Sequence, residues 1–215
     1  MLDAAAIGSA TIGREGVKYC PRCASELGTR FEGGRDRIAC PSCSFMFFGD
    51  FSIGCGGVVI RDSKALLIRR GHEPGRGWWQ IPGGYVEHDE VITDAVAREV
   101  LEEAGIQARV VDVLGIRHSV GGAGSIGGPS SNVYVMFRLE PQAGEPTCDG
   151  NEVTGAGYFS MDEIAAMDRV QSLSKFAIDR ALAGVTGFTA AQAGSAPNRP
   201  GWVLYGLQIE LTRLA

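Results

Sequence analysis

Residues 84–106 place a glycine turn, an amphipathic helix and a second glycine in one unbroken stretch, and few folds accommodate all three. Val96, Ala97, Val100 and Ala104 give a helix over residues 90–104 an apolar side that must find a core. Asp89 is placed to cap its start and Gly105 to end it. The other side carries Glu99 and Glu103 one turn apart, with Glu102 flanking them. Like charges this close repel by a few tenths of a kcal/mol per pair in water. A divalent cation reverses that balance, and carboxylate oxygens combined with waters and substrate phosphates suit magnesium. The plain alternative is a solvated acidic face, the usual meaning of a Glu-Val-Leu-Glu-Glu segment taken alone.

Two cysteine pairs constrain the N-terminal part. Cys20-Pro21-Arg22-Cys23 and Cys40-Pro41-Ser42-Cys43 are the CxxC…CxxC form of a tetrahedral four-cysteine zinc site. Two knuckles fill all four positions and leave none for chemistry, so the ion is structural. Disulfides or redox-active thiols are the competing reading. Cys55 and Cys148 stand apart from the pairs and read as bystander thiols.

These signals divide the chain into a disordered leader (1–16), a zinc ribbon (17–50), a larger domain that carries the acidic helix (51–186) and a C-terminal extension (187–215). A ribbon this small has almost no core, so metal must supply much of its folding energy. Within the larger domain, strands are expected at 56–60 and 65–68 around the turn Arg61-Asp62-Ser63-Lys64, and again at 108–116, 132–139 and 155–159. Helices are expected at 161–167 and 173–183. Residues 202–211 fit strand or helix equally. Mixed strands and helices make the class α+β.

Residues 84–106 also fit G-x5-E-x7-R-E-U-x-E-E-x-G-U, with U aliphatic, at Gly84, Glu90, Arg98, Glu99, Val100, Glu102, Glu103, Gly105 and Ile106. In this pattern the chain resembles the Nudix hydrolases, whose defining box it is. The resemblance implies a mixed β-sheet between helices, an α/β/α sandwich. It implies Glu99 and Glu103 as principal ligands of magnesium or manganese, Glu102 assisting, and the Gly83 carbonyl contributing from the turn. Arg98 would pair with Glu90 and steady the acidic face. Glu152, just before a later strand, would complete the metal site or serve as base, against the plain reading of an exposed loop glutamate. Trp79 matches the family's tryptophan before the turn, where packing competes with base stacking. Arg69 and Arg70 end a strand near the site and are candidate phosphate contacts.

A ribbon ahead of the box is shared with the NADH pyrophosphatase group. Its downstream SQPWPFPxS-like signature is absent from residues 118–129. Residues 69–84 are more similar to a branch associated with ADP-ribose and FAD. The expected substrate is therefore ADP-ribose or FAD, with NADH or NAD as the alternative and a non-catalytic nucleotide-binding regulator as a different class. The glycine-rich segment 121–128 is either a lid or a plain hairpin loop.

A net charge of -5 gives no basic footprint for gripping nucleic acid non-specifically. No apolar run approaches the ~20 residues that span a bilayer, and the first residues lack the charged start of a signal peptide. A small-molecule nucleotide substrate in the cytoplasm is expected, and the resemblance adds a homodimer.

Overall fold

A computed structural model describes residues 18–123, 129–185, 187–190 and 205–206. The expected leader, residues 124–128 of the glycine segment and most of the tail lie outside the described residues. What is described falls into two compact units, one within Met1–Ser52 and His118–Val133, the other within Ile53–Arg117 and Tyr134–Ala215.

In the first unit, β1 (Gly28–Glu32) and β2 (Arg35–Ala39) form an antiparallel hairpin in register from Gly28↔Ala39 to Glu32↔Arg35. Gly33 and Gly34 close it at φ 60° and 81°, the left-handed pair that a two-residue turn requires. Its core is Cys20, Leu27, Ile38 and Cys40, with Phe45 and Phe47 packed on them.

The described residues also form a nine-stranded sheet, all of which belongs to the second unit except residues 50–52, 118–123 and 129–133. Its strands are β3 (Asp50–Arg61), β4 (Lys64–Arg70), β5 (Trp79–Gln80), β6 (Gly83–Tyr85), β7 (Gln107–Ala123), β8 (Pro129–Ala143), β9 (Val153–Phe159), β10 (Phe188–Ala190) and β11 (Tyr205–Gly206). The order is β11-β10-β7-β8-β3-β4-β5, with β6 paired to β3 and β9 to β4. Side chains alternate across the strands, so β3 and β4 feed two cores. Val59, Leu66 and Ile68 meet Ala95, Val96, Val100 and Ala104 of α1 (Ile92–Ala104). Val58 and Leu67 meet Ile164 of α2 (Met161–Ala166) and Ala177 and Ile178 of α3 (Ser172–Leu182). Helices thus cover both faces, the α+β sandwich expected. No described helix is long and apolar enough to cross a membrane.

The structure departs from the sequence reading at the start of α1. Asp89 does not cap it; Val91 occupies the N-cap with no side-chain hydrogen bond. The acid that fixes this corner is Glu90, which accepts from the Glu87 amide at 3.0 Å and from Arg98. Gly105 ends the helix as expected, at φ 69° with its N–H on the Leu101 carbonyl. Strands β7 and β8 run well beyond 108–116 and 132–139 because polar and glycine residues join the pairing, which an apolar pattern does not register.

Candidate active site

Two glycines bring the acidic helix against the β6 turn. Gly83 and Gly84 pair with Gly56 and Cys55 of β3. A Cβ at Gly83 would stand 2.2 Å from the Cys55 carbonyl oxygen and 2.6 Å from the Gly56 Cα, so backbone approach demands glycine there. A Cβ at Gly84 would stand 2.5 Å from the Glu99 carboxylate. The Gly83 amide donates to Glu103 Oε2 at 2.7 Å.

One guanidinium organises the other acids. Arg98 donates through Nε and Nη2 to the two Glu90 oxygens at 3.1 and 2.7 Å, and through Nη1 to Glu99 at 2.9 Å and Glu102 at 3.0 Å. It also reaches the Tyr85 carbonyl at 3.3 Å. Its hydrogen bonds hold the Glu90 carboxyl below the usual range. Glu99 moves the other way, because burial outweighs the pull of Arg98. Glu103 is pushed up to about 8, chiefly by burial, with Glu99 and Glu152 adding to it and the Gly83 amide and Arg70 opposing.

Glu103 forms no ion pair among the described residues and has two further carboxylates in its field. A half-buried carboxylate so placed is relieved by a cation. The donor set is all oxygen, hard and anionic, and it fits magnesium or manganese.

The remaining sequence candidates divide. Glu152 lies exposed in the bend just before β9 and raises the proton affinity of both Glu99 and Glu103. Arg70 acts on Glu103 and donates through Nε to the Pro74 carbonyl at 3.0 Å. Arg69, its neighbour on the strand, turns instead to Gly77, where its guanidinium and that of Arg169 each lie 3.8 Å from a Cβ placed on the glycine. Trp79 packs edge-on against Phe159 at 5.1 Å, and its backbone is tied to Arg169 and Gln171.

Sequence reasoning did not find Arg169, nor a cavity of about 580 Å³ lined by Trp78, Arg117, Gln171, Ser172, Leu173 and Phe176. Trp78 and Phe176 leave 40% and 49% of their surface open there. The Arg117 guanidinium stacks on Tyr134 at 5.4 Å, and the Tyr134 hydroxyl lies 2.8 Å from a Cβ built on Gly83, which connects the cavity to the turn. No local spacing signals these residues, which come from a loop, a strand and a helix far apart in sequence.

In the first unit the sulfurs of Cys20, Cys23, Cys40 and Cys43 all lie within 4.8 Å of one another. Cys20–Cys43, Cys23–Cys40 and Cys23–Cys43 are separated by 3.7, 3.4 and 3.8 Å. Disulfide sulfurs lie at about 2.05 Å, whereas zinc–sulfur bonds of about 2.3 Å arranged tetrahedrally separate the sulfurs by about 3.8 Å. The thiols therefore fit a zinc site. Cys55 is buried and Cys148 exposed, both free.

The model of the NUDIX domain family matches residues 53–178. Among characterised proteins, the chain is similar to an ADP-ribose pyrophosphatase of Methanocaldococcus jannaschii, 31% identical over 53% of this chain and 64% of that protein. It is also similar to the NAD-capped RNA hydrolase NudC of Stutzerimonas stutzeri, 29% identical over 77% of this chain and 56% of that protein. The chain thus spans less than two thirds of either relative. Among solved structures, a NUDIX hydrolase from Nitrosomonas europaea superposes with a TM-score of 0.62 at 25% identity, over 79% of this chain and 92% of that one. With the family's domain covering more than half its length and the box glutamates gathered at a glycine turn, the chain belongs to the Nudix family.

Proposed function

We propose that this chain is a magnesium- or manganese-dependent pyrophosphohydrolase that splits a nucleoside diphosphate from the moiety linked to it, with ADP-ribose or FAD as substrate. The observation that carries this reading is the convergence of Glu99, Glu103 and Glu152 beside the Gly83 turn, a concentration of negative charge that a divalent cation relieves. The full set of box carboxylates supports an enzyme over a nucleotide-binding regulator.

Glu99, Glu103, Glu102 and the Gly83 carbonyl are the residues to hold the metal, with Glu152 alongside. A bound divalent ion supplies Lewis-acid polarisation of the phosphates and a more acidic water. The chain's own part is positioning and charge. Arg98 keeps Glu90, Glu99 and Glu102 in one arrangement and is turned away from substrate by those bonds. Arg70 faces the anionic phosphates from the Glu103 side. Glu152 takes the proton of the attacking water as phosphorus–oxygen cleavage releases the leaving phosphate. Trp78 and Phe176 offer the nucleobase open aromatic surface. Arg69, with Trp79 behind it, is a candidate contact for the far end of the substrate.

Residues 17–50 are read as a zinc ribbon and 51–186 as the catalytic domain. Zinc bound by thiolates belongs to a reducing compartment, which favours the cytoplasm.

A second reading, NADH or NAD, is favoured by the NudC relative, whose similarity extends over 77% of this chain. The discriminating experiment incubates the purified protein with ADP-ribose, FAD, NADH and NAD plus magnesium and follows AMP by chromatography. ADP-ribose or FAD turning over fastest supports the proposal, and NADH or NAD turning over fastest supports the second reading. No AMP from any of them overturns the proposed substrates, and full turnover by Glu103→Gln overturns the place of Glu103 in the metal site.

A further inference from the structure

Glu152 sits in a loop, yet nothing about its backbone is loose. The Asp149 carboxylate accepts from three successive amides: Asn151 at 3.0 Å and Val153 at 2.9 Å on Oδ1, and Glu152 at 3.2 Å on Oδ2. Gly150, at φ 76°, lets the chain turn back so that its own N–H reaches the Val153 carbonyl at 2.9 Å. From the opposite side the Gly71 amide donates to the Glu152 carbonyl at 2.7 Å. A Cβ at Gly71 would stand 1.8 Å from the Asn151 carbonyl oxygen, so that clamp closes only on glycine.

The next residues finish the fixation. Arg69 opposes Gly155 while Arg70 opposes Val153, so β9 carries one extra residue, Thr154, whose hydroxyl donates to the Arg69 carbonyl at 3.3 Å. Bulges of this kind re-aim the side chains beside them. Val153 is buried at 2% exposure in the α1 core and anchors the bulge. Asp149, Gly71 and the bulge together fix the backbone from which the Glu152 carboxylate extends, near enough to Glu99 and Glu103 for its charge to raise the proton affinity of both.

We propose that Asp149 is a positioning residue for hydrolysis, holding Glu152 in its working orientation through the amides of residues 151–153. This rests on the role given to Glu152 above. The carboxylate is suited to the task because a single side chain must offer two oxygens to three donors, which alanine cannot do at all and asparagine can do with one oxygen only.

The test compares the full chain with Asp149→Ala, Asp149→Asn, Glu152→Gln and the Asp149→Ala/Glu152→Gln double variant, using whichever nucleotide the parent hydrolyses. Outer partners of a metal site are worth about 10–100-fold, so kcat of Asp149→Ala should fall about tenfold while KM stays within about twofold. Asp149→Asn should recover part of the loss, and the double variant should be no slower than Glu152→Gln. Hydrogen exchange of the Asn151–Val153 amides, measured without metal or substrate, should quicken in Asp149→Ala and not in Glu152→Gln. A parent-like kcat in Asp149→Ala overturns the proposal. So does an equal loss in both backgrounds, or a slow Asp149→Ala beside a fully active Glu152→Gln. A parent that hydrolyses no nucleotide sinks the enzymatic reading itself and is recognised before any variant is compared.

Discussion

The Gly83 amide holds the Glu103 carboxylate at 2.7 Å, so an acid whose charge is opposed chiefly by burial is fastened to the glycine turn. In the fold Glu103 gives up its proton near 8, against 4.5 without the protein around it. Between those values the folded chain binds more protons than the unfolded one, so stability without magnesium falls as pH rises through that window. Thermal unfolding in magnesium-free buffer should occur at a lower temperature at about pH 8.5 than at about pH 6. Glu103→Gln should remove most of the difference, with Glu99, shifted in the same direction, keeping the rest. Magnesium should restore the parent at high pH and do little for the variant. Identical pH slopes in parent and variant would show that Glu103 ionises at no cost to the fold.

Gly83 and Gly84 adjoin, but alanine at each should fail differently. At Gly84 the new methyl meets the tip of the Glu99 side chain at 2.5 Å, a flexible group that can move aside. At Gly83 it meets the Cys55 carbonyl at 2.2 Å and the Gly56 Cα at 2.6 Å, which are backbone. Gly84→Ala should therefore keep its unfolding temperature within a few degrees while losing about tenfold or more in kcat through a displaced Glu99. Gly83→Ala should lose about 1–3 kcal/mol or more of stability, from overpacking against groups that cannot yield. Calorimetry beside steady-state kinetics separates the two. A Gly84→Ala variant with parent activity would free Glu99 from its assigned position.

The contrast explains how much the sequence discloses. Glu99, Glu102 and Glu103 are within one turn of each other, so helical geometry alone puts them together, and the two CxxC knuckles are equally local. The cap was misread because Asp89 competes with a tertiary arrangement, in which Arg98 reaches back to Glu90 across the start of the helix. Asp149-Gly150 carries a local turn signal that points to the clamp on Glu152. Arg169 and the cavity at Trp78 have no such signal. Their neighbours are set by strand order and helix packing, which one sequence does not state.

The four thiols make a quantitative prediction. Freshly purified protein should contain close to one zinc per chain, and Cys40→Ser should contain close to none, because three sulfurs leave a site open to water and competing ligands. Among the described residues the ribbon's core is Cys20, Leu27, Ile38 and Cys40 with Cys43, Phe45 and Phe47 packed on them, so metal loss should unfold it. Limited proteolysis should then cut within residues 18–49 in the variant and in chelator-treated parent. Zinc well below one per chain in an undamaged parent would remove the metal from the assignment.

Arg138 should prove necessary for stability and not for chemistry. It donates to both oxygens of Asp112 at 3.1 and 3.0 Å and to the Val185 carbonyl, and Asp112 also accepts from the Gly187 amide at 3.0 Å. The Asp112 side chain is 4% exposed and its partner 23%. Deleting the arginine strands a buried carboxylate, which typically costs about 3–5 kcal/mol, whereas replacing both members with apolar groups often costs little. Arg138→Ala should therefore lower the unfolding temperature by about 6–20 °C for a chain of this size. Arg138→Met combined with Asp112→Leu should recover much of the loss, although the Gly187 amide then has no acceptor. Since neither residue adjoins the box carboxylates in sequence or in the hydrogen-bond network described, kcat of the folded fraction should match the parent. An Arg138→Ala protein that melts with the parent would mean that water already reaches Asp112, and that the pair contributes no more than a surface ion pair does.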